Sequence, residues 1–502
     1  MYESLNKAGE SRQNEKSESS ALKVALGLKR DCTTSDFERD NQRILGEKSQ
    51  EQLRRSAGKA SRITDEIFCG QRVGIYDGNK QIIPENAEAK EKTTVPPKQD
   101  WTILVELAAS AKPGENNKDF NPKEEKLQEL LALKKLTKGN AITVVAEEIV
   151  ETEKSGQKAY SLERYEVRNG EVTQLEKDKA LPPKIGNESQ SCADVRDLLK
   201  LGLELSPSEH VAFIDNNHGH GNLGMYGDGD KSIFPTEQMM KAIKDGLKNS
   251  GRNKLDLLDF DACMMGEDGV LRMAKDVTSS LVCSAESERI PGQEIGKILK
   301  LAAQDPRMDG AEFGRKIIAA ADRGANRSAD HLGDNTHVLA HYNLDKLENF
   351  DSSLSRLSED LLKAAKSDAG KQAIDTALND SLSYGNHPKG NLWEDKRDIK
   401  SFVDKLEKAI NSKDLCDESH EIMRDIKMFR SAEEELVDKF HSLNEDGIAY
   451  SEGRGLSVYA PDPNREKPAS KQEIDLEKNN SLPSWIALIN ELAAKSDKSS
   501  AS

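Results

Sequence analysis

Several things are scarce in this chain, and each absence excludes something. Aromatic residues make up 5% of the 502 residues, and hydrophobic ones 35% against 32% charged. A chain this lean cannot pack its whole length around cores, although that length has room for two to four domains. Paired cysteines are missing. Cys32, Cys69, Cys192, Cys263, Cys283 and Cys416 are scattered with no Cys-x-x-Cys, so neither a zinc knuckle nor a disulfide framework is indicated. Isolated thiols of this kind suit a reducing compartment. Basic charge is also short: the formal net charge of −16 argues against a general nucleic-acid binder. No run approaches the roughly 18 apolar residues that span a bilayer. Met1–Ser20 is polar throughout and has no hydrophobic segment of signal-peptide type. The expected location is therefore the cytoplasm, or outside the cell by a route needing no Sec-type signal, and the expected state is a monomer.

What is present falls into zones. Residues 1–97 are rich in Ser, Lys, Glu, Gln and Asn and read as a largely disordered arm ending in Val95-Pro96-Pro97. Order is expected from Trp101–Leu107, a strand, followed by a helix over Phe120–Leu136 and a strand over Ala141–Val150. Tyr160–Val167 and Val172–Leu175 flank Asn169-Gly170 and predict a hairpin. Ser191–Leu203 predicts a helix. Next come a strand at His210–Asp215, a helix that Thr236 is placed to cap, and a strand at Leu255–Phe260. Strand, helix, strand is the βαβ pattern of a parallel sheet. A helix after Cys263 and a short strand at Leu281–Ser284 extend it. The fold class is therefore α/β, with a core over 98–345. Residues 346–495 predict a mostly helical part packed on that core, with a late strand near 455–461, and 496–502 a disordered tail.

Two strands end in reactive clusters. His210–Asp215 runs into Asn216-Asn217-His218-Gly219-His220-Gly221, and Leu255–Phe260 into Asp261-Ala262-Cys263-Met264-Met265-Gly266. In an open parallel sheet, ligands bind at the carboxyl ends of the strands. A thiol there becomes a nucleophile if something supports the thiolate, and the N-terminus of the following helix and a nearby imidazole are candidates. Gly219 is placed to offer an N–H to a developing oxyanion, and Ala262 to let a substrate backbone approach. The plainer alternative makes Cys263 a small buried residue and His218 a turn histidine.

These motifs resemble the clostripain-like cysteine peptidases. Asn217-His218-Gly219-His220-Gly221, then a strand, then Asp261-Ala262-Cys263-Met264-Met265-Gly266 carry the likeness, with Trp101–Ala109, Leu281–Glu286 and Gly455–Pro461 extending it. The resemblance implies a caspase-like fold over roughly 98–490. It makes Cys263 the nucleophile, His218 the acid–base group, and the N–H groups of Gly219 and Cys263 the oxyanion hole. His220 occupies the small-residue slot of His-Gly-x-Gly, so His218 is preferred. Asp261 becomes the acid that receives an Arg or Lys before the cut, against its plainer role as a helix cap, and Ser284 and Glu286 line the same pocket. Lys231, in the loop between the dyad residues, becomes a self-cleavage point. No cofactor is required for the chemistry, while the resemblance leaves calcium open with no ligands named. The partners implied are protein or peptide substrates. The sequence departs from the family pattern at Met264 (usually Leu), Asn222 (usually Trp), Ser287-Glu288-Arg289, and Gln293 (usually aromatic).

Two rival readings stand beside this one. His218-x-His220 with Asp215, Asp228 and Asp230 suggests a metal hydrolase, but Asn222 stands where that pattern has Asp, and no further His precedes His331. Asp228-Gly-Asp230 fails as a calcium loop, because Ile233 and Met239 occupy the positions needing Gly and Glu. A non-catalytic binding module on the same fold is the other rival, with the charged helices of 350–450 as a partner surface.

Overall fold

In the computed structural model, residues 99–499 are described except 108–133, 140, 155–156, 181–183, 186–187, 227–232, 249, 289–291, 322–337, 386–394, 412–417, 444–447 and 462–470. The expectations for the N-terminal arm, for most of the Phe120–Leu136 helix and for Lys231 fall outside the described residues. Thr94–Ser502 forms one compact unit.

The central strands are apolar on both faces, the signature of a sheet covered on both sides. Along Gln99–Leu107 (β1), Trp101, Ile103 and Val105 join one hydrophobic cluster and Leu104 the other. The remaining strands of the main sheet are Ile142–Lys154 (β2), Gln157–Arg168 (β3), Glu171–Ala180 (β4), Ser208–Asn216 (β5), Leu257–Asp261 (β6), Ser280–Cys283 (β7), Val338–Asn343 (β8) and Val437–Ser442 (β9). Their spatial order is β9-β8-β7-β6-β5-β1-β2-β3-β4. The strands from β7 to β2 run parallel, and antiparallel strands flank them on both sides. Helices Gln190–Leu205 (α1) and Thr236–Leu247 (α2) contribute to the cluster on one face. Ile295–Gln304 and Gly310–Ala321 contribute to the cluster on the other. The architecture is thus the α/β class expected, a mixed, mostly parallel sheet between helices.

The hairpin between β3 and β4 turns at Asn169 (φ 48°) and Gly170 (φ 83°), a left-handed pair that Asn-Gly adopts readily. One expectation needs correction. Thr236 does not cap α2: the helix begins at Thr236 itself, and its hydroxyl donates to the carbonyl of Gly221 at 2.7 Å. The late strand is present as Ser457–Tyr459, which pairs antiparallel with Lys396–Asp398, outside the main sheet. β9 supplies the sheet edge instead. It was missed because Val-Asp-Lys-Phe-His-Ser has no clean alternation and directly follows a long helix. The final helix, Pro483–Ser499, also runs into the stretch expected to be a tail.

Candidate active site

The site follows from strand register. β5 and β6 run side by side in parallel, and Asn216 pairs with Asp261 at their ends. His218 and Cys263 each lie two residues past that pair, so the parallel ladder delivers both to the same end of the sheet. The backbone continues the match. The Asn217 N–H donates to the Asp261 carbonyl at 3.3 Å, and the His218 N–H donates to Asn217 Oδ1 at 2.7 Å. Gly219 then lies directly against the Cys263 turn. A Cβ on Gly219 would come within 2.3 Å of the Cys263 carbonyl oxygen and 2.8 Å of Met265 Sδ, so only glycine fits.

Met264 takes a left-handed conformation at φ 62°, which costs a non-glycine residue roughly 1–2 kcal/mol. Two hydrogen bonds hold it, Met264 N–H to the Glu286 carbonyl (3.1 Å) and Gly266 N–H to the Ser284 carbonyl (2.7 Å). The sharp turn leaves Cys263 half-buried while Met264 and Met265 enter the core. Cys192 and Cys283 are fully buried, so Cys263 is the accessible thiol among the described cysteines.

Thiolate support comes from a different donor than expected. The following helix starts only at Asp268, and no residue of it is bonded to the sulfur, whose partner is instead Glu288. The Glu288 N–H donates to Cys263 Sγ at 3.2 Å, and the Glu288 carbonyl lies 3.8 Å from the same sulfur. Burial pushes the thiol pKa up, the Glu288 N–H lowers it, and the negative charges of Asp261 and Glu286 raise it further; the net shift is upward. The backbone N–H of Cys263 also bears on the sulfur. Burial holds His218 below its ordinary value, and burial together with His218 lowers His220 to about 4. Thiol and imidazole are therefore both neutral at rest near pH 7.

Asp261 does not cap a helix. Only 2% exposed, it accepts Asn216 Nδ2 at 2.6 Å and the Gln293 N–H at 2.9 Å, and Gly292 (φ 82°) packs over it. Glu288 adds a second carboxyl. Burial, then the charge of Asp261 and a hydrogen bond to it, push Glu288 well up. Glu288, in the Ser287-Glu288-Arg289 departure from the family pattern, thus lies against both Cys263 Sγ and Asp261. Ser284 and Glu286, the other two expected pocket residues, are both buried. The Ser284 hydroxyl donates to the Glu286 carbonyl at 2.9 Å, and both Glu286 carboxylate oxygens accept the Gly385 N–H at 3.0 Å.

The two missing aromatics are replaced by buried amides. Asn222 is 1% exposed; its N–H donates to Glu267 Oε2 at 2.8 Å, and its Nδ2 donates to Glu267 Oε1 at 2.8 Å and Glu477 Oε2 at 3.1 Å. Gln293 Nε2 donates to Asp259 Oδ1 at 3.0 Å. For the metal reading, Asp228, Asp230 and His331 lie outside the described residues, and Asp215 is buried within β5. Among the described residues no group of three or more His, Cys, Asp or Glu side chains is arranged to hold a metal ion.

A parallel sheet whose adjacent strand ends carry a thiol and an imidazole defines the class as a thiol-dependent hydrolase fold. The sequence model of the clostripain family matches residues 114–500, and the chain belongs to that family. It is a cysteine peptidase. Among solved structures, an inactive zymogen C11 protease from Parabacteroides distasonis is 13% identical. The match covers 78% of this chain and 99% of that one with a TM-score of 0.51, which supports the shared fold. A secreted C11 cysteine protease from Bacteroides thetaiotaomicron, bound to an irreversible peptide inhibitor, is 13% identical over the same shares with a TM-score of 0.49. No curated protein matches the chain. Among the described residues, no helix is long and apolar enough to cross a membrane.

Proposed function

We propose that the chain is an endopeptidase that cuts after Arg or Lys through a Cys263/His218 dyad. The observation that carries this reading is the Asn216–Asp261 register pair, which brings His218, Cys263 and the Asp261 carboxylate to one strand-end cluster. In the reaction, Cys263 Sγ attacks the scissile carbonyl and its proton passes to His218. The N–H groups of Gly219 and Cys263 receive the oxyanion. His218 then protonates the leaving amine, and water hydrolyses the acyl-enzyme.

Asp261, with Glu288 beside it, supplies the acidic end of the specificity pocket. A guanidinium or ammonium there gains a charge-assisted hydrogen bond and replaces the proton that Glu288 carries. Lys231 is the proposed self-cleavage point, in keeping with a Lys-accepting pocket. An intact wild-type chain, indistinguishable by mass from Cys263→Ala, would remove that part of the proposal.

The test is turnover of short fluorogenic peptides ending in Arg, Lys or Asp, run with and without a calcium chelator. Arg and Lys peptides are expected to be cleaved by the wild type and not by Cys263→Ala or His218→Ala. No turnover of any peptide, even after proteolytic nicking, favours the non-catalytic module, and cleavage after Asp alone refutes the role given to Asp261.

A further inference from the structure

Behind the two catalytic turns lies a buried charged set that the chemistry just described does not use. Lys396, from the short strand Lys396–Asp398, forms ion pairs with Glu267 and, at 2.5 Å, with Glu477. All three side chains are at most 5% exposed. Lys396 and Glu477 lie far along the chain from Glu267, in Lys396–Asp398 and in the helix Lys471–Asn480. Burial and the charge of Glu477 push Glu267 well up, and keeping an ammonium and two carboxyl groups out of water is expensive; where stability alone is at stake well-packed apolar groups do as well or better. The location suggests what else the set does.

Glu267 touches both turns. Toward the histidine, its Oε2 accepts the Asn222 N–H at 2.8 Å. Gly221 (φ 59°) is pressed so closely on this carboxylate that a Cβ would come within 2.2 Å of Oε2 and 3.0 Å of the Met264 carbonyl. Thr236 holds the other side of the same turn through the Gly221 carbonyl. Toward the thiol, Glu267 lies four residues after Cys263 and forms a β-bridge with Ser457. The Ser457 N–H and hydroxyl both donate to the Gly266 carbonyl, at 2.9 and 3.1 Å. The histidine turn is thus built on the side chain of Glu267, and the cysteine turn is anchored through its backbone. Lys396 and Glu477 fix where that side chain points.

We propose that Glu267, oriented by Lys396 and Glu477, is a positioning residue that sets His218 against Cys263, and that Asn222 is its contact on the histidine turn. This inference rests on the dyad reading above. It also assigns the C-terminal segments a part in catalysis: strand Lys396–Asp398 and helix Lys471–Asn480 reach the dyad through one carboxylate. Misplacing reacting groups by a fraction of an ångström lowers the rate of the chemical step while leaving substrate affinity largely intact.

The experiment compares wild type, Glu267→Gln, and the triple variant Glu267→Gln/Lys396→Met/Glu477→Gln, with Cys263→Ala as the control. The triple variant removes the buried charges together and leaves none unpaired, so its melting temperature should stay close to that of the wild type. On whichever fluorogenic peptide the wild type cleaves, both variants should lose at least about tenfold in kcat with KM within about twofold. In parallel, the rate of Cys263 alkylation by iodoacetamide across pH should change in both variants, because the imidazole no longer sits in the same relation to the sulfur. Wild-type kcat and an unchanged alkylation profile in the triple variant would overturn the proposal and leave the set a purely structural feature. If the triple variant does not fold, Glu267→Gln alone carries the same prediction and the same refutation. Turnover that survives Cys263→Ala defeats the dyad reading instead, and absence of turnover in the wild type leaves the alkylation profile to decide between positioning and structure.

Discussion

At Cys263 three influences compete. Burial and the carboxylates of Asp261 and Glu286 favour the neutral thiol, and the Glu288 N–H favours the thiolate, with the neutral form ahead. The sign of each is testable. Iodoacetamide should alkylate Cys263 slowly at pH 7 and faster as the pH rises past the ordinary thiol range, because only the thiolate reacts. Removing one negative neighbour lowers the thiol pKa, so Asp261→Asn should speed alkylation at pH 7.5 by about 3- to 10-fold. The same variant should cut turnover of Arg and Lys peptides by about 100-fold or more, since the cation loses its counter-charge. Two opposite changes from one substitution would separate the pocket role from general damage; alkylation slowed along with turnover would contradict it. Gly219→Ala offers a steric counterpart. Its Cβ would collide with the Cys263 backbone carbonyl as well as with the Met265 side chain, and the backbone cannot give way cheaply, so peptide turnover should fall at least about 100-fold. The placement of Cys263, His218 and Asp261 at neighbouring strand ends is legible in the sequence because each follows an apolar strand. That of Glu288 is not, since its part depends on how the segment after β7 folds back over the sulfur.

At the scale of elements, local pattern was a good guide wherever burial is two-sided or a turn has a chemical signature. β1, β5 and β6 read as apolar runs because both sheet faces are covered, and the β3–β4 hairpin read from Asn169-Gly170. Pattern failed where pairing is decided by distant chain. Ser457–Tyr459 has the apolar look of a sheet strand, yet its partner is Lys396–Asp398, all three of whose residues are charged and one of which serves the buried ion set. Thr236 has the composition of a cap, but its hydroxyl is taken by Gly221 across the loop. The hairpin also gives a control. Gly170 requires φ 83°, so Gly170→Ala should cost about 1–2 kcal/mol and lower the melting temperature by about 2–4 °C. Peptide turnover at moderate temperature should not change, because β4 is the outer edge strand, four places from β5.

At the scale of the molecule, the core and the helical C-terminal part are parts of one unit. β9 closes the main sheet, Ser457 holds the nucleophile turn, and Trp485 Nε1 donates to the Tyr459 carbonyl at 2.7 Å, fastening the last helix to the strand that contains Ser457. None of these contacts is legible locally, because each joins segments far apart in the chain. A chain ending at Asn444 lacks Ser457, Glu477 and Trp485, and it should lose peptide turnover entirely. Circular dichroism should show loss of cooperative melting in the same chain. Retained activity would mean that the C-terminal segments are an accessory.

The central claim, a Cys263 nucleophile served by His218 and aimed by Asp261, is tested most directly by an affinity label. Wild-type protein is treated with otherwise identical peptidyl chloromethyl ketones ending in Arg or Asp, and the adduct is located by peptide mapping and mass spectrometry. The account predicts one adduct, on Cys263, formed much faster with the Arg reagent and slowed strongly in His218→Ala and Asp261→Asn. An adduct on another residue, or equal rates with the Arg and Asp reagents, would contradict it.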